Sequence, residues 1–457
     1  MEKLYKKSLF IFRRDLRLED NTALNAALSA SSQVIACFNF DPRQYDDKSY
    51  FSPNSFRFLL DSLRELGDEV QKAGGRLYIF NGVPEDSVSA LIKTENIEAV
   101  YFNRDYTPFA RKRDKTMHDT CVKHKITAHQ YADCLLNEPE AAVKDDGRPY
   151  TIFTPFFKKN SQRPVKAASK LGGYNFYKEN IKLEDRKILN DLRSGYSQVE
   201  TLFGGREAGL KILAAMKEYR EYQTERDYPI QDATTHLSAH NKFGTLSIRE
   251  VYHCMVKLLG ASHALVRQLY WRDFFTHIAF HFPHVFKGAF NKKYDAIEWE
   301  NSQKKFKAWC NAQTGFPVVD AAMREINTTG FMHNRARMIV ASFLVKDLHI
   351  DWRWGEKYFA AKLVDYDPAV NNGSWQWAAS TGCDAQPYFR IFNPWLQQQK
   401  FDAQCLYIKK WLPELKDVAP KVLHNLFKNK QSFPGYPTPI VHHAEASSVA
   451  KEMFGEM

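Results

Sequence analysis

The segment Val370–Ser380, VNNGSWQWAAS, sets two tryptophans one residue apart behind two asparagines and a glycine. An indole offers a broad flat face, an oxidisable ring and an N–H that seeks a partner when buried. In a helix, Trp375 and Trp377 would lie about 200° apart around the axis. They could not stack on one object, so each must serve its own side. Asn371, Asn372 and Ser374 are N-cap types, and a helix N-terminus there would favour a ligand that becomes anionic. Upstream, MHNRARMIVASFLVKDL (332–348) puts Asn334, Arg337, Met338 and Ala341 on one helical face, with Ile339, Val340, Phe343 and Leu344 as apolar support. That combination predicts a buried polar pocket whose arginines need carboxylate or phosphate partners. Asp365 and Asp367 are candidates. All nine tryptophans fall at or after residue 271, most of them suited to an aromatic core.

Other chemistries find no support. G-x-x-x-x-G-K-[ST], G-x-G-x-x-G and G-x-S-x-G are absent, which removes the standard phosphate loops and the nucleophile elbow. The seven cysteines form no C-x-x-C pair and fit a reduced, cytoplasmic protein. His277 and His281 stand four apart on a helical pattern, but no Glu follows the first and no third ligand suggests itself, so no metal is expected. The apolar run at 8–12 is too short for a signal peptide or a membrane span. A net charge of +11 suits a polyanionic partner such as DNA as well as it suits a plainly basic enzyme.

A length of 457 residues predicts two domains. Over 1–135, short apolar runs at 8–12, 33–40, 76–82, 98–103 and 126–132 alternate with helical patterns. Pro84 suits a first helical turn, and Gly74 and Gly75 suit a helix end. Such alternation predicts an α/β domain with a doubly wound parallel sheet. Residues 136–200 are polar and broken by Pro and Gly, and read as a connector draped over the surface. Over 201–457 the strand signal vanishes and helical stripes follow one another, which predicts a large all-α domain.

RRDLRLEDN near the N-terminus, MHNRARM, DYDPAVNNGSWQWAASTGCDAQPYFRIFNP and YIKKWLPEL resemble the DNA photolyase/cryptochrome flavoprotein family, and most of all its class I cyclobutane pyrimidine dimer photolyases. The resemblance spans nearly the whole chain and is closest over 265–415. It implies an N-terminal antenna-binding α/β domain and a C-terminal helical FAD-binding catalytic domain. YQTERD and TTHLS are similar to the family's FAD contacts, implying Tyr222, Thr234, Thr235, Leu237 and Ser238. Arg337 with Asp365 resembles the ion pair beside the flavin, Asp367 the residue near adenine and flavin, and Asn371 the position beside flavin N5. An amide there goes with a fully reduced, repair-active flavin. Trp375, Trp352 and Trp299 match the electron-relay tryptophans. Trp271 and Trp377 match the pair that packs on a flipped lesion. Gln268, Asn334 and Met338 would line that lesion pocket, and Arg226, Arg272 and Arg335 would face DNA.

The implied activity is light-dependent repair of UV-induced dimers by an electron from photoexcited reduced FAD. A lesion inside a duplex must be flipped out to be reached, and photolyases are among the enzymes that work in this way. Two alternatives stay open. A (6-4) photolyase is suggested by Gln268, where many dimer photolyases have Glu, although that group's paired histidines are replaced by Asn334 and Met338. A cryptochrome-type photoreceptor would share the cofactor without repair. The antenna is also open. Folate-type members place Asn-Glu where Phe109 and Ala110 stand, leaving folate, a deazaflavin or another flavin as possibilities. The expected partner is UV-damaged DNA, with no membrane, a monomeric state and a cytoplasmic, nucleoid-associated location.

Overall fold

A computed structural model describes residues 3–45, 49–169, 172–194, 202–429 and 433–455. Five strands, β1 (Tyr5–Phe12), β2 (Ser31–Phe40), β3 (Leu77–Asn81), β4 (Ala99–Asn103) and β5 (Thr127–Tyr131), pair in parallel in the order β3-β2-β1-β4-β5. The period-2 side-chain alternation of β1 explains why both faces are covered. Phe10 and Phe12 point to one core with Leu24 of α1 (Thr22–Ala30) and Phe58 of α2 (Pro53–Lys72). Leu9 and Ile11 point to the other, with Leu91 of α3 (Pro84–Glu95) and Met117 of α4 (Pro108–Lys123). The chain reverses its winding between β1 and β4, the switch point at which such sheets open a crevice beyond their strand ends.

The segment after β5 is a correction to the surface-connector expectation. It carries the helix Phe153–Asn160, whose Phe153 and Phe156 are 1% and 0% exposed, and the helix Arg186–Ser194. Phe176 makes a parallel bridge to Val34 of β2. The aromatic spacing 153, 156, 157 has helical period and buries an edge against the helix Ala264–His281. Residues 170, 171 and 195–200 of that segment lie outside the described residues.

Beyond β5 no strand occurs among the described residues. The helices Pro317–Thr329, Asn334–Lys346, Trp352–Lys362 and Pro368–Ala379 share one core, and Ile248–Leu259 and Ala264–His281 share a second. RRDLRLEDN is the joint between the domains. Arg17 pairs with Asp133 at 2.6 Å, and Arg249 of the helical domain reaches Asp20 at 2.7 Å and Asp133 at 2.8 Å. Gly244 has φ +62°, and a Cβ there would come within 2.1 Å of the Arg14 carbonyl oxygen. Glycine is therefore needed for the backbones to meet.

Candidate functional site

The helix Pro368–Ala379 starts ahead of the asparagines that its sequence offers as caps. Asp367 is its N-cap, accepting from Ala369 N at 3.1 Å and Val370 N at 3.3 Å, with Pro368 in the first turn. A carboxylate cap followed by Pro outcompetes Asn371, Asn372 and Ser374, which lie inside the helix. Asp367 is also gripped by Arg14, whose other amino group holds Asp105 at 3.1 Å. Burial alone would raise the Asp367 pKa, but the charges of Arg14, Lys242 and Arg272 outweigh it and hold the carboxyl well below its usual range. One turn on, Asn371 donates to Glu356 through both the backbone oxygen, at 3.1 Å, and Oε1, at 2.8 Å. Burial pushes Glu356 up to about 7, with the bonds from Asn371 and Tyr50 opposing. Nothing in the sequence pattern singles out Glu356. It stands four residues after Trp352, a spacing that many surface glutamates share.

Trp375 and Trp377 do face different surroundings. Trp375 is 2% exposed and meets Phe359 edge-on at 5.0 Å, while Trp377 is half-buried. Trp352 is as buried as Trp375, and Trp299, packed on the same core, is half-buried. Gly355 permits the approach of the Trp375 ring, since a Cβ there would lie 2.1 Å from it.

On the helix Asn334–Lys346, Arg337 donates to Met332 O at 2.7 Å and pairs with Asp365 at 3.0 Å. Arg335 pairs with Asp227 at 2.8 Å, and its guanidinium lies 4.3 Å from the Phe401 ring centre. Asn334 is exposed, beside Met338 Sδ at 3.8 Å. Gln268, half-buried, donates to Ala264 O of its own helix at 3.3 Å. Arg272 is held by the carbonyls of Cys134, at 2.5 Å, and Asn241, at 3.0 Å, which places it at the joint between the domains. Arg226 lies 4.0 Å from Asp227, over the ring of the buried Tyr222.

Thr234, Thr235, Leu237 and Ser238 lie at the start of the helix Leu237–Phe243. Thr235 and Leu237 are buried and Ser238 is exposed. Thr234 Oγ1, His236 Nδ1 and Asn241 Oδ1 are buried and have no partner within the protein, and Arg335 Nε and His333 Nε2 share that condition. Buried polar atoms ordinarily have partners, so this set suits a polar ligand rather than a packed core. His277 and His281 serve the fold instead. His277 Nε2 accepts from Tyr150 N at 3.1 Å, and His281 lies 3.0 Å from Pro139 O. Among the described residues no three ligand-type side chains gather to hold a metal.

A cavity of about 570 Å³ opens at the C-terminal ends of β1, β2 and β4. Arg13, Arg43, Phe109, Ala110 and Arg113 line it, together with Lys242, Tyr366 and Pro368 of the helical domain. Burial, followed by the Arg14 charge, lowers the Lys242 pKa to about 8. The volume falls within the ordinary range for a cofactor site, about 300–1,000 Å³.

A Rossmann-like sheet with a ligand crevice, joined through buried ion pairs to a helical domain rich in indoles, defines a two-domain cofactor protein. The match to known sequences makes that specific. Residues 8–170 match the DNA photolyase model, and residues 265–456 match the model of the FAD-binding domain of DNA photolyase. The chain belongs to the DNA photolyase family and is an FAD-binding flavoprotein of the photo-lyase class of enzymes. The deoxyribodipyrimidine photo-lyase of a Synechococcus species is 37% identical over 98% of this chain and 96% of its own length. That of Escherichia coli is 35% identical over 95% of each. An archaeal photolyase of Sulfolobus tokodaii, solved with two FAD molecules, superposes with a TM-score of 0.91 at 43% identity, covering 99% of this chain and all of that one. A Synechocystis cryptochrome superposes with a TM-score of 0.88 at 29% identity over 99% and 100% of the two chains. The orphaned Thr234 Oγ1 and His236 Nδ1 suit acceptor oxygens of a cofactor such as FAD, and the orphaned Asn241 Oδ1 suits a hydroxyl donor. No helix among the described residues is long and apolar enough to cross a membrane.

Proposed function

We propose that this chain uses light to reverse cyclobutane pyrimidine dimers in DNA. The observation that carries the reading is the divided environment of the two indoles on one helix, Trp375 buried and Trp377 half-exposed. FAD, when bound and reduced, supplies the light absorption and the transferable electron. Around it this chain's residues do five things. Tyr222, Thr234, Thr235, Leu237 and Ser238 bind its polar end. Asn371, held by Glu356, sets an amide beside the ring. Trp271 and Trp377 wall a flipped base, a contact worth roughly 1–3 kcal/mol per stacked base. The buried Trp375 and Trp352 and the half-buried Trp299 carry an electron inward from solvent. Arg226 and Arg335 meet phosphates, although Asp227 must yield Arg335 first.

Asn334 and Met338, in place of paired histidines, favour dimers over (6-4) lesions, and Gln268 can hydrogen-bond a flipped base without a raised pKa. The cavity at the strand ends is an antenna site. Its arginines, the apolar Phe109 and Ala110, and the second FAD of the Sulfolobus relative favour a flavin there. The protein acts as a monomer in the cytoplasm, on the nucleoid.

The test separates the indoles. Trp375→Phe should block light-driven reduction of oxidised FAD while sparing repair by chemically reduced enzyme. Trp377→Ala should weaken dimer binding while light-driven reduction persists. The same phenotype from both substitutions would refute the assignment.

A further inference from the structure

Trp271 is backed by another ring. Phe153 lies face to face with it, ring centroids 3.6 Å apart and planes 7° from parallel. Behind Phe153, Phe157 stacks at 5.8 Å and 18°, and the Arg267 guanidinium lies 5.1 Å from both phenyl centres. Phe153 is 1% exposed, whereas Trp271 is half-buried. The free N–H of Phe153, at the start of its helix, donates to Asp384 Oδ2 at 3.1 Å. Asp384 lies in the loop that follows the helix of Trp377. The segment is tied to the helix of Trp271 twice more: Asn137 N donates to Asp273 Oδ2 at 2.9 Å, and Tyr150 N to His277 Nε2 at 3.1 Å. One stretch of chain from outside the catalytic bundle therefore braces Trp271 and is pinned to the loop behind Trp377.

We propose that Phe153, seated by Asp384, is a positioning residue that fixes the indole plane of Trp271 for stacking on a flipped base. The proposal rests on the reading of Trp271 and Trp377 as the walls of the lesion pocket. The side chain of Trp271 turns about two torsions, and an unbraced ring loses that freedom when a base lands on it. A ring already stacked on one side has lost it beforehand. The stack also settles which face is offered, because Phe153 occupies the other. Arg267 flanks the column, its guanidinium equally close to the centres of Phe153 and Phe157 and so alongside the gap between them. The wall is thus a column of three rings, of which only the outermost meets substrate.

The experiment uses FAD-loaded protein in the dark. Dissociation constants are measured for a dimer-bearing oligonucleotide and for undamaged DNA of the same length, in wild type, Phe153→Leu, Phe153→Tyr, Asp384→Ala and Trp271→Leu. Phe153→Leu keeps the apolar bulk and removes the stack. It should weaken dimer binding by about 2- to 10-fold, the factor that one aromatic pair supplies. Undamaged DNA binding, FAD content and the repair rate of already bound dimer should stay at wild-type values. Phe153→Tyr should recover tight binding. Asp384→Ala, on an exposed side chain, should act in the same direction and less strongly, and it remains informative where Phe153→Leu folds poorly. Dimer binding at the wild-type level in both Phe153→Leu and Asp384→Ala overturns the proposal. So does an equal loss for damaged and undamaged DNA. If Trp271→Leu leaves dimer binding intact, the lesion-wall reading itself fails. If Trp271→Leu weakens binding and Phe153→Leu does not, only the positioning role fails.

Discussion

Replacing Arg14 with Met should strand two carboxylates at the joint between the domains. Arg14 pairs with Asp367 and, at 3.1 Å, with Asp105, and the three side chains are 16%, 10% and 16% exposed. Removing one partner of a pair this buried costs about 3–5 kcal/mol. Asp367 keeps its two cap bonds from Ala369 N and Val370 N, and Lys242 and Arg272 still attract it. The expected loss is therefore near the lower end, about 3 kcal/mol. Asp367→Asn keeps a good N-cap and leaves Arg14 on Asp105, so its cost should be milder, about 1–2 kcal/mol. Together the two changes should cost less than their sum, with a coupling of about 1 kcal/mol or more. Urea unfolding at pH 7, followed by flavin fluorescence and by circular dichroism, measures all four proteins. Because the folded pKa of Asp367 is depressed, its contribution is fully present above the ordinary carboxylate value and is lost as pH falls through the lower folded value. The difference from wild type should thus be flat between pH 6 and 7, below the titration of Lys242 near 8, a group whose pKa Arg14 helps to lower. A loss below about 1 kcal/mol for Arg14→Met is what an exposed pair gives, and it would refute the buried-joint reasoning.

Gly355→Ala places a methyl 2.1 Å from the Trp375 ring and 2.6 Å from Leu344, so it should cost about 1–3 kcal/mol by overpacking and slow light-driven flavin reduction, read by melting and by absorbance. Glu356 has a folded pKa of about 7, raised chiefly by burial, so it stabilises below its ordinary value and that stabilisation is lost as pH rises through about 7. Relative to wild type, Glu356→Gln should flatten the stability profile between pH 5 and 8, and a difference curve without slope there would count against the shift. Asp227→Asn releases Arg335 from its 2.8 Å partner and should tighten DNA binding. Arg226→Gln should lower the slope of log affinity against log salt by roughly one unit, as judged by titrations at several salt concentrations.

The α/β domain is legible in the sequence because its strands are buried on both faces. Runs such as SLFIF and EAVYFN are continuous, and the turn residues between them, Pro84 and Gly74 among them, are local signals. The helical domain is legible as helical but not in its starts. Asn371 and Asn372 resemble caps because their side chains suit that role, while the stronger Asp367–Pro368 pair sets the true start ahead of them. The connector misleads because polar composition masks three aromatics at helical spacing, whose burial depends on a helix more than a hundred residues away. Arg14 and Glu356 are beyond reach for the same reason. Their meaning lies in Asp367 and Asn371, and no local pattern announces a contact 353 residues away along the chain. The arginines of MHNRARM do announce that they need partners. Asp365 is the partner of Arg337, as its proximity in sequence suggests, whereas Arg335 finds Asp227 instead.

The most direct measurement follows dimer reversal in one defined oligonucleotide carrying a single cyclobutane dimer, mixed with FAD-loaded, chemically reduced protein. Restored pyrimidines are counted by chromatography after blue light and after an equal time in the dark, with a (6-4) oligonucleotide in parallel. The account predicts intact pyrimidines in the illuminated dimer sample alone, and a loss of yield at limiting DNA when Trp377 is changed to Ala. Reversal in the dark, no reversal in light, or reversal of the (6-4) lesion in place of the dimer would contradict it.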